Sequence, residues 1–284
     1  MRKFSAILLS LLLFLVLPTR VYGSSSEYTI QSFATQIIVN QDTSLSVMET
    51  LKVFFEIPKH GIFRNIPLAY SANGRTIRAD FDLISVADEN GIPYKYETGR
   101  LGQSVNIKIG NPDKTITGSH TYLISYKIGK VLQRYPEHDE LYWNVTGSEW
   151  DTEIEFASAA VASPFASITK VECFAGLIKT TEKFCDKSNS SDSAQFSSTE
   201  TLGTGKDFSI VIGLNKVNQL VFPGLLEKIS DSLIDNWGYP MALLPLSIVF
   251  IFWLKRGRDR RFLTENIYYA PQDKTTKAVS PFER

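Results

Sequence analysis

The stretch Tyr239–Leu254, YPMALLPLSIVFIFWL, is followed at once by KRGRDRR, and no charged residue occurs between Trp237 and Leu254. A helix crossing the bilayer core needs roughly 17–25 apolar residues, so this run sits near the lower limit. Trp237, Tyr239 and Trp253 mark its two ends, where amphipathic rings favour the membrane–water boundary. Lys255, Arg256, Arg258, Arg260 and Arg261 follow, against one Asp259, and such an excess of cations places this end in the cytoplasm. Pro245 would kink the helix by removing a backbone hydrogen bond. The reading is a transmembrane helix over 238–254 and a basic cytoplasmic tail over 255–284. The competing reading is a buried core helix, but such a helix rarely ends in five cations within seven residues.

The N-terminus agrees with export. Arg2 and Lys3 precede the apolar run Phe4–Leu17, and Val21-Tyr22-Gly23 offers a signal-peptidase site with cleavage after Gly23. An uncleaved anchor is the alternative. Either way residues 24–236 lie outside the cytoplasm. Charge follows the same division: residues 24–236 hold 19 Lys and Arg against 26 Asp and Glu, net −7, whereas residues 255–284 hold 8 against 4, net +4. An acidic exported region argues against a nucleic-acid partner, which needs a basic, phosphate-neutralising surface.

Within the exported region the hydrophobic period is two. Leu45, Val47, Leu51, Val53, Phe55 and Ile57 share one face, interrupted only by Glu49. Successive strand side chains point to opposite faces, so this is a half-buried strand. Ile37 and Val39 belong to the preceding strand, and Asn40-Gln41-Asp42 makes the hairpin turn. Ile62–Pro67 shows no clean period and reads as an irregular packed connection. Alternation returns at Ile77–Leu83, Tyr94–Tyr96, Val105–Ile109, Tyr122–Ile128, Ile154–Val161, Ile168–Cys173 and Phe208–Leu214, while 186–206 reads as a long exposed loop. Many short strands with turn signals predict an all-β ectodomain, a β-sandwich of antiparallel strands over 24–218. From Phe222 to Trp237 the apolar spacing becomes helical, predicting an amphipathic juxtamembrane helix over 219–237.

The two cysteines, Cys173 and Cys185, both fall in the exported region. An even pair in an oxidising compartment reads as one disulfide, with two free buried thiols as the alternative. No G-x-S-x-G, P-loop, H-E-x-x-H or C-x-x-C pattern occurs. The most site-like cluster is Glu137, His138, Asp139 and Glu140, with Glu149, Asp151, Glu153 and Glu155 following. Such carboxylates can hold a calcium ion or act as an acid–base pair; the plainer reading is a solvated turn and an outward strand face. Tyr142, Trp143 and Trp150 read as core anchors.

Three blocks in order, HGIFRNIP (His60–Pro67), IGNPDKTITGSHTYLISYKI (Ile109–Ile128) and DELYWNVTGSEW (Asp139–Trp150), resemble the YciQ-like family of predicted bacterial membrane proteins. The resemblance covers roughly residues 28–270. It implies a bacterial envelope protein with a β-sandwich ectodomain, and it brings no catalytic residue and no cofactor with it. Members of that family usually continue past the first helix into a longer cytoplasmic region, often with more membrane spans, and Tyr268, Tyr269, Pro271 and Ser280-Pro281 resemble a Tyr/Pro-rich segment there. The expected function is a membrane-anchored, non-catalytic module that binds another envelope component, protein or polysaccharide. The expected recognition loops are Pro58–Pro67 and Tyr135–Asp139, with His60, Phe63, Arg64, Glu137, His138 and Asp139 as candidates. The alternatives are an accessory or sensory subunit acting through the tail, and an envelope hydrolase working through the acidic cluster near Asp139.

Overall fold

The computed structural model describes residues 27–72, 75–177, 182–216, 219–224, 229, 233 and 238–257. It forms two compact units, Met1–Phe222 and Pro223–Arg284. In the first unit the strands run β1 (Tyr28–Val39), β2 (Leu45–Lys59), β3 (Gly61–Pro67), β4 (Ala69–Ala72), β5 (Arg75–Arg78), β6 (Asp80–Ala87), β7 (Tyr96–Leu101) and β8 (Ser104–Gly110). They continue with β9 (Ile116–Gly129), β10 (Leu132–Arg134), β11 (Asp139–Asn144), β12 (Ala157–Ala162), β13 (Ile168–Leu177), β14 (Cys185–Asn189), β15 (Ser193–Ser198) and β16 (Lys206–Leu214).

A seven-stranded sheet, ordered β14-β15-β12-β1-β2-β9-β6, forms one layer of a β-sandwich. A four-stranded sheet, β10-β11-β16-β13, and a three-stranded sheet, β3-β8-β7, share a single hydrophobic core with it. The period of two explains the packing. Leu45, Val47, Leu51, Val53 and Phe55 of β2 all point into the core, as do Tyr122, Ile124, Tyr126 and Ile128 of β9 and Phe208, Ile210, Ile212 and Leu214 of β16. Phe33 on β1 meets Trp150 edge-on at 6.1 Å, joining the large sheet to the segment that follows β11.

Several expectations are corrected. Ile62–Pro67 is the regular strand β3, with Ile62, Arg64 and Ile66 buried; an arginine at an inward position hides its period. Residues 186–206 are not an open loop, because β14 and β15 form a hairpin there that buries Ala194 and Phe196. The strands are antiparallel except that β1 and β12 pair in parallel, Phe33 opposite Ala157. Trp143 and Trp150 are core residues, but Tyr142 is 41% exposed. Val221–Gly224 is not helical, whereas Ile229 and Leu233 are; Phe222 packs on the core under the guanidinium of Arg134 at 4.6 Å. Most of the expected juxtamembrane helix, Trp237 included, lies outside the described residues.

Cys173 and Cys185 are joined in a disulfide that fastens the start of β14 to β13. In the second unit α1 spans Gly238–Arg256, contains Pro245 and ends in Lys255 and Arg256, where cations complement the helix dipole. Tyr239 and Trp253 lie within it, and Arg258 falls beyond the described residues. Leu243, Leu246, Val249, Phe250 and Trp253 are all exposed, so α1 is apolar all round rather than amphipathic. Among the described residues no helix is long and apolar enough to cross a membrane.

Candidate functional site

The alternation of β3 that sends Ile62, Arg64 and Ile66 inward turns Gly61, Phe63 and Asn65 to the other face. The register with β8 sets Gly61 opposite Gly110, Phe63 opposite Lys108 and Asn65 opposite Asn106; β7 continues these rows with Glu97 beside Lys108 and Gly99 beside Asn106. The result is a platform with an aromatic ring, two amides and an ion pair. Phe63 is 57% exposed. The Asn106 amide donates to Asn65 Oδ1 at 2.5 Å, and Lys108 Nζ stands 3.7 Å from Glu97. Gly61 and Gly110 leave the first row bare. A Cβ on either would overlap the carbonyl oxygen of Ile109 or of His60, so only glycine allows the strands this close.

Above the platform is a cleft of about 810 Å³, within the range of small-ligand sites. His60 stands at one end, its Nδ1–H donating to the carbonyls of Asn111 and Lys114 at 3.2 and 3.0 Å. Tyr28, Glu149, Trp150 and Asp151 form the facing wall, and Arg100 and Leu101 of β7 complete the rim. The Tyr28 hydroxyl donates to Asp151 Oδ1 at 2.5 Å. Burial first, and the neighbouring carboxylate second, push the Tyr28 phenol well above its ordinary range, so it stays a neutral donor. Lys59, also lining the cleft, pairs with Glu27.

Beneath the platform Arg64 ties three sheets together. Its Nε and Nη2 donate to the two oxygens of Glu49 on β2 at 2.8 and 2.7 Å, a bidentate pair with both side chains buried. Its Nη groups also donate to the carbonyls of Thr146 and Val145, just after β11, at 2.7 and 3.1 Å. The Tyr126 hydroxyl adds a third bond to Glu49 at 2.7 Å. Phe33 flanks the guanidinium at 5.1 Å, and Trp150 at 5.9 Å, with the indole N–H donating to Thr146 O. Arg64 therefore sets the platform against the wall that carries Trp150.

The sequence candidates are split. His60 and Phe63 line the cleft, whereas Arg64, 1% exposed, faces the core and cannot meet a ligand. The second group lies on another part of the fold. Asp139 is buried on β11 near Arg134 at 3.8 Å, Glu137 is exposed, and His138 stacks on Tyr135 with its Nε2 3.5 Å from a Glu140 oxygen. Strand alternation turns Asp139 inward and Glu140 to the opposite face, so these two neighbouring carboxylates do not share one face. Among the described residues no three His, Cys, Asp or Glu side chains are placed to hold a metal ion. Asn65, Asn106, Lys108, Arg100 and Tyr28 were missed as candidates; reading IFRNIP as a strand was the signal that would have exposed the first of them. Together these side chains can hydrogen-bond, stack and ion-pair with a bound molecule.

Residues 29–213 match the family model described as "Predicted membrane protein (DUF2207) N-terminal domain". The Escherichia coli (strain K12) protein YciQ, described as uncharacterized, is 26% identical over 155 residues. The match covers 51% of this chain and 24% of YciQ, so the chain matches about a quarter of that relative's length. Among solved structures, leukotriene A4 hydrolase from Saccharomyces cerevisiae is 10% identical with a TM-score of 0.42, covering 72% of this chain and 33% of that one. The M1 zinc metallopeptidase from Deinococcus radiodurans is 12% identical with a TM-score of 0.37, covering 66% and 42%. The blocks that build the platform, its Arg64 support and the Trp150 wall all fall inside the matched span, and the chain belongs to the DUF2207 family of predicted membrane proteins.

Proposed function

We propose that the protein is a membrane-anchored extracytoplasmic binding module, and that the β3-β8-β7 cleft is where it takes hold of another envelope component. The observation carrying this reading is the cleft itself: an exposed phenyl ring, paired amides and a facing wall of carboxylates on a rigid, latched platform. Recognition by such a surface needs no catalytic group, since aromatic and polar side chains on a stiff sheet suffice. In this reading the signal peptide is cleaved after Gly23, residues 24–218 stand outside the cytoplasm and α1 is the anchor. The family description as a predicted membrane protein supports the anchoring.

The test is photocrosslinking in the native membrane. A photoreactive residue replaces Phe63 or Leu101 at the cleft. The control replaces Ile38, exposed on β1 and absent from the cleft lining. Discrete adducts from the cleft positions and none from Ile38 are expected. Adducts of equal yield at all three positions, or none at any, would overturn the assignment.

A further inference from the structure

The cleft has a second feature besides its side chains. One of its rims is a bare strand edge. β7 pairs with β8 and with no other strand among the described residues, and all six of its residues are exposed. The direction of its backbone groups follows from the turn. Leu101 and Ser104 close a two-residue hairpin with Gly102 at φ +59°, the primed turn that puts a hydrogen-bonded pair next to the loop. The same phase recurs at the far end, where Gly110 N–H donates to Lys95 O at 2.8 Å. Leu101, Gly99 and Glu97 therefore bond to β8. Tyr96, Thr98 and Arg100 point their N–H and C=O groups away from it, and among the described residues no backbone group answers them.

The space on both sides of this edge is open. The cleft described above reaches Gly99, Arg100 and Leu101 on one face. A second cavity of about 440 Å³ lies on the other, lined by Phe81, Asp82, Leu83, Tyr96, Thr98 and Val105 and again by Gly99 and Arg100. A strand laid along β7 would send alternate side chains into the two cavities, because successive residues point to opposite faces. Arg100 touches both cavities and has no ion-pair partner among the described residues, whereas Lys108 has Glu97 and Lys59 has Glu27.

We infer that the ligand of this site is an extended polypeptide, added antiparallel or parallel to β7 as a fourth strand of the β3-β8-β7 sheet, with an acidic residue facing Arg100. The inference rests on the binding reading of the cleft and names its ligand class. A glycan could use Phe63 and the amides, but it would have no use for three outward N–H and three outward C=O groups, which are the complement of another backbone. The occupant carries apolar residues at alternate positions, matching Phe81, Leu83 and Val105 in the smaller cavity.

The experiment uses the full chain in lipid nanodiscs and synthetic nine-residue peptides of alternating Val and Thr with Asp or Lys at the centre. Binding of the Asp peptide should slow hydrogen exchange at the Tyr96, Thr98 and Arg100 amides. N-methylation of alternate peptide nitrogens in the edge-facing phase should abolish it. The Asp peptide should bind about threefold tighter than the Lys peptide, the range of a cross-strand ion pair, and R100E should reverse that order. The reversal separates recognition from damage to the fold. Absence of binding, indifference to N-methylation, or an unchanged order in R100E overturns the strand assignment. The crosslinking result is independent of these peptides: a discrete Phe63 adduct alongside any of those failures would leave the cleft as a binding site for something other than a strand.

Discussion

At the scale of single residues, Glu49 and Arg64 decide how the sheets meet. Both are buried, and each leaves the other uncompensated if removed. Removing one partner of a buried, hydrogen-bonded pair costs about 3–5 kcal/mol, whereas replacing both by apolar groups of similar volume is often neutral or better. R64M alone is therefore expected to destabilise the first unit by about 3–5 kcal/mol in urea unfolding, and E49L with R64M to regain much of that loss. A double variant no more stable than R64M would show that the carbonyl bonds to Val145 and Thr146, not the ion pair, carry the energy. The sequence exposes half of this arrangement. A lone Glu49 in an otherwise apolar row announces a buried charge, and such a charge needs a partner. The partner is invisible until the packing of one sheet on another brings β3 over β2, which is why Arg64 reads as a recognition residue from sequence and as a latch in the fold.

At the scale of elements, the edge hairpin β14–β15 is held to β13 by more than the Cys173–Cys185 bond. Glu172 on β13 accepts from Lys183 at 2.8 Å and stands 2.7 Å from Lys187, which also donates to Val171 O at 3.0 Å. The hydrogen bonds from Lys183 and Lys187 pull the Glu172 carboxyl down to about 2. A carboxyl whose folded value lies below its unfolded one contributes stability above the unfolded value, and that contribution fades as pH falls through the folded one. The window here runs from about pH 4.5 to about pH 2. E172Q should start less stable at neutral pH and show a shallower loss across that window in denaturant midpoints. Parallel acid limbs for the two proteins would mean that solvent screens the clamp to nothing. The same hairpin shows why composition misleads at this scale. Residues 186–206 are rich in Ser, Thr and Asp, yet Ala194, Phe196 and Ser198 alternate inward on β15. An edge strand needs only a few small inward groups, too few to raise the hydrophobic period above the background. Strands with long apolar rows, such as β2, β9 and β16, were legible because their inward faces lie in the shared core. The parallel β1–β12 pair was not, since its two strands are more than a hundred residues apart and no local turn records their pairing.

For the whole molecule the open question of physics is where the surface of α1 goes. Every large apolar side chain described from Met241 to Leu254 is exposed, and a helix apolar all round is suited to lipid or to a protein interior rather than to water. Its fourteen-residue run Met241–Leu254 rises about 21 Å, against about 30 Å of hydrocarbon. A short span is accommodated by local thinning of the bilayer and by flanking cations reaching to the interface, at fractions of a kcal/mol per Å. In the proposed anchor Lys255 and Arg256 would serve that role, and Trp253 would meet the boundary. The proposed anchor then makes a sharp claim about the two ends of the chain. The full protein should stay with membranes through an alkaline wash, and a version ending before Gly238 should be released. Protease applied from outside should digest residues 27–222 and spare an epitope placed after Arg256, because the cations that follow the helix resist export. Release of the full chain by the wash would make α1 a protein-binding helix instead. Loss of the epitope with an intact β domain would reverse the orientation, and with it the compartment in which the β7 edge meets its partner.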